Sequence, residues 1–241
     1  MFKSYASRGL VVAGALAASM LFPISASALT ITSTSSFNPA FCTSPPPGGL
    51  ACGPQNLSIF WVAGNPPFST LTVADVPSQA IVLDGPAVTL TKLTHNNVVI
   101  PQAFNYVSQI LNNIKVTDDA AQLVVNENSK VDISFTETIN VGPPCVTPAP
   151  LNSVCDDFFT FSPDGLSPIK FLDSLGNKFL LSFFIEEGPG TLVQGNTVFT
   201  AEGGQSELFV KAKLQVPEPM TLALLGLGLL GIGFTTRQRK M

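Results

Sequence analysis

The chain contains a single histidine, His95, within Thr94-His95-Asn96-Asn97, where a hydroxyl, an imidazole and two amides occupy four consecutive positions. Such a set can close a tight bend through side-chain hydrogen bonds to the backbone, or present a polar patch to a sugar or a metal ion. Asn and His tolerate left-handed backbone better than most residues, so the expectation is a structural corner between strands, with ligand contact as the rival. A nucleophilic triad would have to use His95, and no G-x-S-x-G step precedes a helical pattern, so no catalytic residue is assigned. Adjacent acids occur at Asp118-Asp119, Asp156-Asp157 and Glu186-Glu187. Neighbours on a strand point to opposite faces, so such a pair cannot flank one glycosidic bond. Without a D-x-D-x-D run for calcium, these acids read as solvated surface, and neither a metal nor a cofactor is expected.

The elements that would position these groups are strands. In KVDISFTETI, residues 130–139, Val131, Ile133, Phe135 and Ile139 share one face, interrupted by Glu137, while Asp132, Ser134, Thr136 and Thr138 line the other. SELFVKAKLQV, residues 206–216, alternates in the same way, and KFLLSFFIE, residues 178–186, is apolar on both faces and predicts a central strand. VSQILNNIKV, residues 107–116, is also read as strand. Asp84-Gly85-Pro86, Asp164-Gly165, Gly176-Asn177 and Gly195-Asn196 punctuate these runs, and the two Gly-Asn steps fall where hairpins need positive φ. The predicted fold is all-β, an antiparallel β-sandwich with a jelly-roll-like plan, occupying residues 29–215.

Both ends of the chain read as signals rather than fold. Residues 1–28 carry Lys3 and Arg8, an apolar run too short to span a membrane, and small residues at Ala26 and Ala28. That is the pattern of a secretory signal peptide cut after Ala28, which implies the Sec translocon and signal peptidase as partners. In an exported chain, four cysteines read as disulfides. They form two Pro-containing C-x9-C loops, and the simplest pairing is Cys42 with Cys52 and Cys145 with Cys155, crossed pairings staying open. Zinc is disfavoured there, since close C-x2-C pairs and a nearby histidine are both missing.

Residues 216–241 hold Pro217-Glu218-Pro219, an uncharged Gly/Leu-rich run over 220–236, and Arg237, Arg239 and Lys240. The run is just long enough for one transmembrane helix, and the basic end suits the cytoplasmic side of a stop-transfer segment. The two prolines keep the Pro-Glu-Pro step extended and open to a protease. This tail resembles the PEP-CTERM sorting signal of Gram-negative bacteria that make extracellular polysaccharide. The resemblance implies cleavage near Pro217-Glu218-Pro219 by an exosortase, a membrane-embedded transpeptidase-like enzyme. Thr94, His95 and Asn97 in turn resemble the signature of the THxN family of PEP-CTERM proteins, with Val99 standing where that signature has proline.

Between residues 29 and 215 there are 15 acids, 7 lysines and no arginine, and 15 − 7 leaves a net charge of −8. That surface repels phosphate backbones and excludes nucleic acid as a partner. The expected protein is therefore exported, tethered to the inner membrane by its C-terminal helix until processing, then held at the cell surface or in the extracellular matrix. Its expected role is that of a non-enzymatic structural or binding module associated with extracellular polysaccharide. The rival is a secreted polysaccharide-modifying hydrolase. A cleft gathering carboxylates or His95 would favour the hydrolase, and an exposed aromatic platform around Trp61 and Tyr106 would favour the binding module.

Overall fold

A computed structural model describes residues 29–217 other than 43–49, 62–67, 100–102, 119, 121, 140–148 and 152–154. The expected signal peptide with Ala26 and Ala28, Cys145, Glu218, Pro219, the apolar span and the basic tail Arg237, Arg239 and Lys240 lie outside the described residues.

The period-two runs become two antiparallel sheets. One contains β1 (Leu29–Phe37), β5 (Gln79–Ile81), β7 (Phe104–Thr117), β8 (Leu123–Glu137), β9 (Asp157–Phe161), β12 (Thr191–Gln194) and β13 (Thr197–Thr200), in the order β12-β13-β9-β8-β7-β1-β5. The other contains β2 (Leu50–Cys52), β3 (Ser58–Trp61), β4 (Ser69–Asp75), β6 (Val88–Asn96), β10 (Ile169–Leu172), β11 (Lys178–Glu187) and β14 (Gln205–Gln215), in the order β10-β11-β14-β6-β4-β3-β2. Every strand pairing is antiparallel, and one parallel bridge joins Leu83 to Leu214. No helix among the described residues is long and apolar enough to cross a membrane.

The sheets meet through two buried clusters, each drawing on both. Phe37, Ile110, Ile133, Phe135 and Phe159 of the first sheet pack with Trp61, Leu71, Leu93 and Leu208 of the second. Further along, Leu29, Ile31, Ile114 and Val116 pack with Leu90, Phe179, Leu181 and Leu214. Full burial of each such aliphatic or aromatic side chain contributes about 1.5–3 kcal/mol, so these clusters are what hold the layers together. A polar tie joins them: the hydroxyls of Ser35 on β1 and Thr91 on β6 lie 2.9 Å apart inside the core.

Turn chemistry follows the sequence. Gly176 (φ 84°) turns β10 into β11, and Gly195 (φ 63°) turns β12 into β13, left-handed positions that glycine occupies without a Cβ clash. Residues 107–116 are extended within β7, as expected. β11 is less central than its sequence predicts. It pairs with β10 and β14 one place from the sheet edge, burying Phe179 and Leu181 while Phe184 is 37% exposed. Cys42 and Cys52 are bonded, tying the short 3-10 turn Pro39–Phe41 after β1 to β2 in the opposite sheet. Cys155 is also disulfide-bonded, while the expected pairing with Cys145 lies outside the described residues.

Candidate functional site

At one end of the two sheets, polar side chains take over inward positions that are apolar elsewhere. Along β8 the inward residues are Val131, Ile133, Phe135 and then Glu137, all buried, and Glu137 ends the strand. β9 begins with Asp157 and continues inward with Phe159 and Phe161. Across the core, β6 points Leu93, His95 and, just past its end, Asn97 the same way. Register sets the neighbours: Asp157 lies opposite Thr200 at the end of β13, and His95 lies between Leu71 on β4 and Ser206 on β14. Glu137 and Asp157 therefore come from one sheet and His95 from the other.

The indole Nε1 of Trp61 donates to Glu137 Oε2 at 2.7 Å. Asp157 Oδ1 accepts from the Thr138 backbone N–H at 2.7 Å and from the Thr138 hydroxyl at 3.1 Å. His95 Nδ1 and Thr200 Oγ1 are 3.0 Å apart. The Thr200 hydroxyl lies 3.5 Å from the Asp157 carbonyl; in the tautomer where it donates there it accepts from His95 Nδ1–H, and the lone pair of the neutral imidazole falls on Nε2. Phe135 and Phe159 meet the imidazole at ring distances of 5.5 and 5.1 Å with interplanar angles of 75° and 88°, and Trp61 lies 5.5 Å away. These contacts fix the ring from three sides.

Three buried atoms are left without a hydrogen-bond partner at the centre: His95 Nε2, Glu137 Oε1 and Asp157 Oδ2. Donor atoms from the same three residues lie within 4.8 Å of one another. An unsatisfied buried polar group costs about 1–3 kcal/mol, more if it is charged, so three together call for a specific compensation. Burial lowers the His95 pKa to about 3 and keeps the ring neutral. Desolvation, then the nearby Asp157 charge, pushes the Glu137 carboxyl well above the ordinary carboxylate range, against the opposing effect of the Trp61 hydrogen bond. Asp157 is pushed up by burial and then by Glu202. One imidazole nitrogen and two carboxyl oxygens can share protons, or they can ligate a cation whose charge offsets both anions.

The structure redistributes the residues that the sequence singles out. His95 is no corner: it lies inside β6 and is 2% exposed. The corner role falls to Asn97, whose N–H donates to Gly204 O at 2.8 Å and whose Nδ2 donates to Ala201 O and to Glu202 Oε1. Thr94 lies on the other face of β6, half-buried. Asp156 and Asp157 are fully buried, contrary to a solvated reading, and Asp118 is nearly so, its carboxylate accepting the Ala120 and Gln122 N–H groups. Trp61 is 1% exposed and Tyr106 half-buried, so they form no platform. Glu137, absent from the expected site residues, is central. Its sequence signal was the interruption it makes in an otherwise apolar inward face.

The tail departs from the middle of the second sheet, where β14 runs between β11 and β6 and ends at Gln215, with Val216 and Pro217 beyond it in no regular structure. From that residue onward, 215–240 match the PEP-CTERM protein-sorting motif. The chain carries a PEP-CTERM protein-sorting motif. The motif marks an exported protein with an exosortase as processing partner. No curated protein matches the chain.

Proposed function

We propose that this PEP-CTERM protein is a non-enzymatic structural or binding module, held in the inner membrane by a C-terminal helix until an exosortase cuts near Pro217-Glu218-Pro219. It then acts at the cell surface or in the extracellular polysaccharide of a Gram-negative bacterium. The observation that carries this reading is the sorting motif beginning at Gln215, the last residue of β14, so that the folded sheets lead straight into the tail. The acidic, arginine-free composition of residues 29–215 suits a partner that is neutral or bridged by cations. Thr94, His95 and Asn97 resemble the THxN signature, and in this reading His95 and Asn97 serve the sheets internally, both buried and bonded across to residues 200–202.

The rival, a polysaccharide-modifying hydrolase, draws support from the meeting of His95, Glu137 and Asp157. Against it, the cavity beside His95 has a volume of about 10 Å³, and a second, beside Trp61 and Tyr106, is about the same. That is space for about one water, not for a sugar ring. Co-sedimentation of the exported chain with purified extracellular polysaccharide, run beside a reducing-end assay on the same sample, separates the two. The module reading expects retention in the polysaccharide pellet with no new reducing ends. Release of reducing ends that disappears in D157N would replace it with the hydrolase.

A further inference from the structure

We propose that His95 Nε2, Glu137 Oε1 and Asp157 Oδ2 bind one divalent first-row transition ion, with Zn²⁺ the preferred occupant, as a staple between the two sheets. The three atoms are buried and receive no N–H or hydroxyl hydrogen bond, the two carboxyls meeting only other carboxyls, Glu137 against Asp157 and Asp157 against Glu202, while the other polar atom of each side chain is already engaged by Thr200, Trp61 and Thr138 respectively. That division is the one a metal site needs, because a ligand's second polar atom is normally held by an outer hydrogen bond that sets its orientation. Three donors at about 2.0–2.2 Å from one ion lie about 3.3–3.8 Å from one another, so donor atoms of these residues as far as 4.8 Å apart close on an ion when each moves by about 0.5–0.8 Å.

The donor chemistry selects the class. An imidazole nitrogen favours zinc and its first-row neighbours over calcium and magnesium, which prefer all-oxygen shells, and among first-row ions zinc outranks manganese and iron in intrinsic affinity. One proton shared between the two carboxyls leaves His95 Nε2 without a partner, and a second proton is needed to serve it, whereas a single ion serves all three side chains. Asn97 Oδ1 is a further buried, unpartnered oxygen at the same end of β6. The site is built from residues 42 and 62 positions from His95 in sequence, so ion and sheet pairing form together.

The test uses the full chain, with its signals, produced in cells lacking an exosortase and purified without chelator or added metal. Elemental analysis should find one zinc per chain, or one manganese or iron where zinc is scarce. Unfolding in denaturant with a chelator, disulfides intact, followed by refolding and addition of Zn²⁺ at a hundredfold excess over Kd, should raise Tm by about 5–10 °C. H95Q and E137Q should each lose the ion and that increment, their affinity falling by more than the roughly 10–100-fold typical of outer-shell changes. D164N, a change at an exposed acid, should retain both. A metal-free wild type that gains no stability from Zn²⁺ or Mn²⁺ overturns the site, as does metal retained in both H95Q and E137Q. A response to Ca²⁺ or Mg²⁺ alone overturns the transition-ion assignment.

Discussion

At the residue scale, Glu137 carries two separable loads. Its Oε2 satisfies the buried indole N–H of Trp61, and its Oε1, buried without an N–H or hydroxyl donor, belongs to the carboxyl that meets Asp157 beside His95. E137Q keeps an oxygen for the indole and replaces a costly buried carboxyl with a neutral amide that can donate toward Asp157. The metal-free variant should therefore be as stable as the metal-free wild type to within about 1 kcal/mol in urea unfolding. E137A removes the acceptor, leaves the Trp61 N–H buried alone and opens a cavity. Its cost should be about 3–5 kcal/mol, from the orphaned donor and the lost volume together. Equal losses in the two variants would show that the carboxylate charge itself, rather than hydrogen bonding and volume, holds this end of the core.

At the scale of elements, the disulfide acts where strand pairing cannot. Cys42 follows the 3-10 turn after β1, and Cys52 ends β2 in the opposite sheet, so the bond closes a loop between two layers that share no ladder there. With the cysteines separated by 10 positions, the loop-closure argument gives a contribution of about 2–3 kcal/mol. C42S/C52S should lose that amount in denaturant unfolding with the strand signal in far-UV circular dichroism unchanged, and an unchanged midpoint would mean that the adjoining core already holds the loop. The strands themselves were legible because each buries alternate residues against one core, a local rule that β8 and β14 follow over most of their length. Turns at Gly176 and Gly195 were legible for the same local reason. The rank of β11 in its sheet was not, since apolar residues on both faces do not say how many strands lie beyond an edge. Nor was the polar cluster. His95, Glu137 and Asp157 meet only after two sheets fold over one another, and no spacing in the chain encodes that meeting. The trace left in the sequence was Glu137 itself, an acid in the inward slot after Phe135; Ile139, expected on the same face, lies past the end of β8 and is exposed.

At the scale of the whole molecule, the sheets and the tail have separate tasks joined at Gln215. Because β14 pairs on both sides with β11 and β6, its end is anchored, and a cut near Pro217-Glu218-Pro219 removes no strand residue. Processing should thus release the folded sheets without loss of stability. The tail's parts should also fail separately. In the proposed sorting route, replacing Arg237, Arg239 and Lys240 with neutral residues removes the charge bias that would hold the C-terminus on the cytoplasmic side, and should impair membrane retention and cutting together. Replacing Glu218 leaves the apolar span and the basic end intact, so insertion should persist while cleavage stops. Intact mass distinguishes these outcomes. In exosortase-containing cells the wild type should be recovered shortened at its C-terminus. In cells lacking the enzyme it should stay membrane-bound with residues 218–241 attached, as should the Glu218 variant in either host. Recovery of the uncut wild-type tail from the extracellular protein of exosortase-containing cells would mean that the apolar run is a permanent anchor and that the prolines do not expose a cutting site.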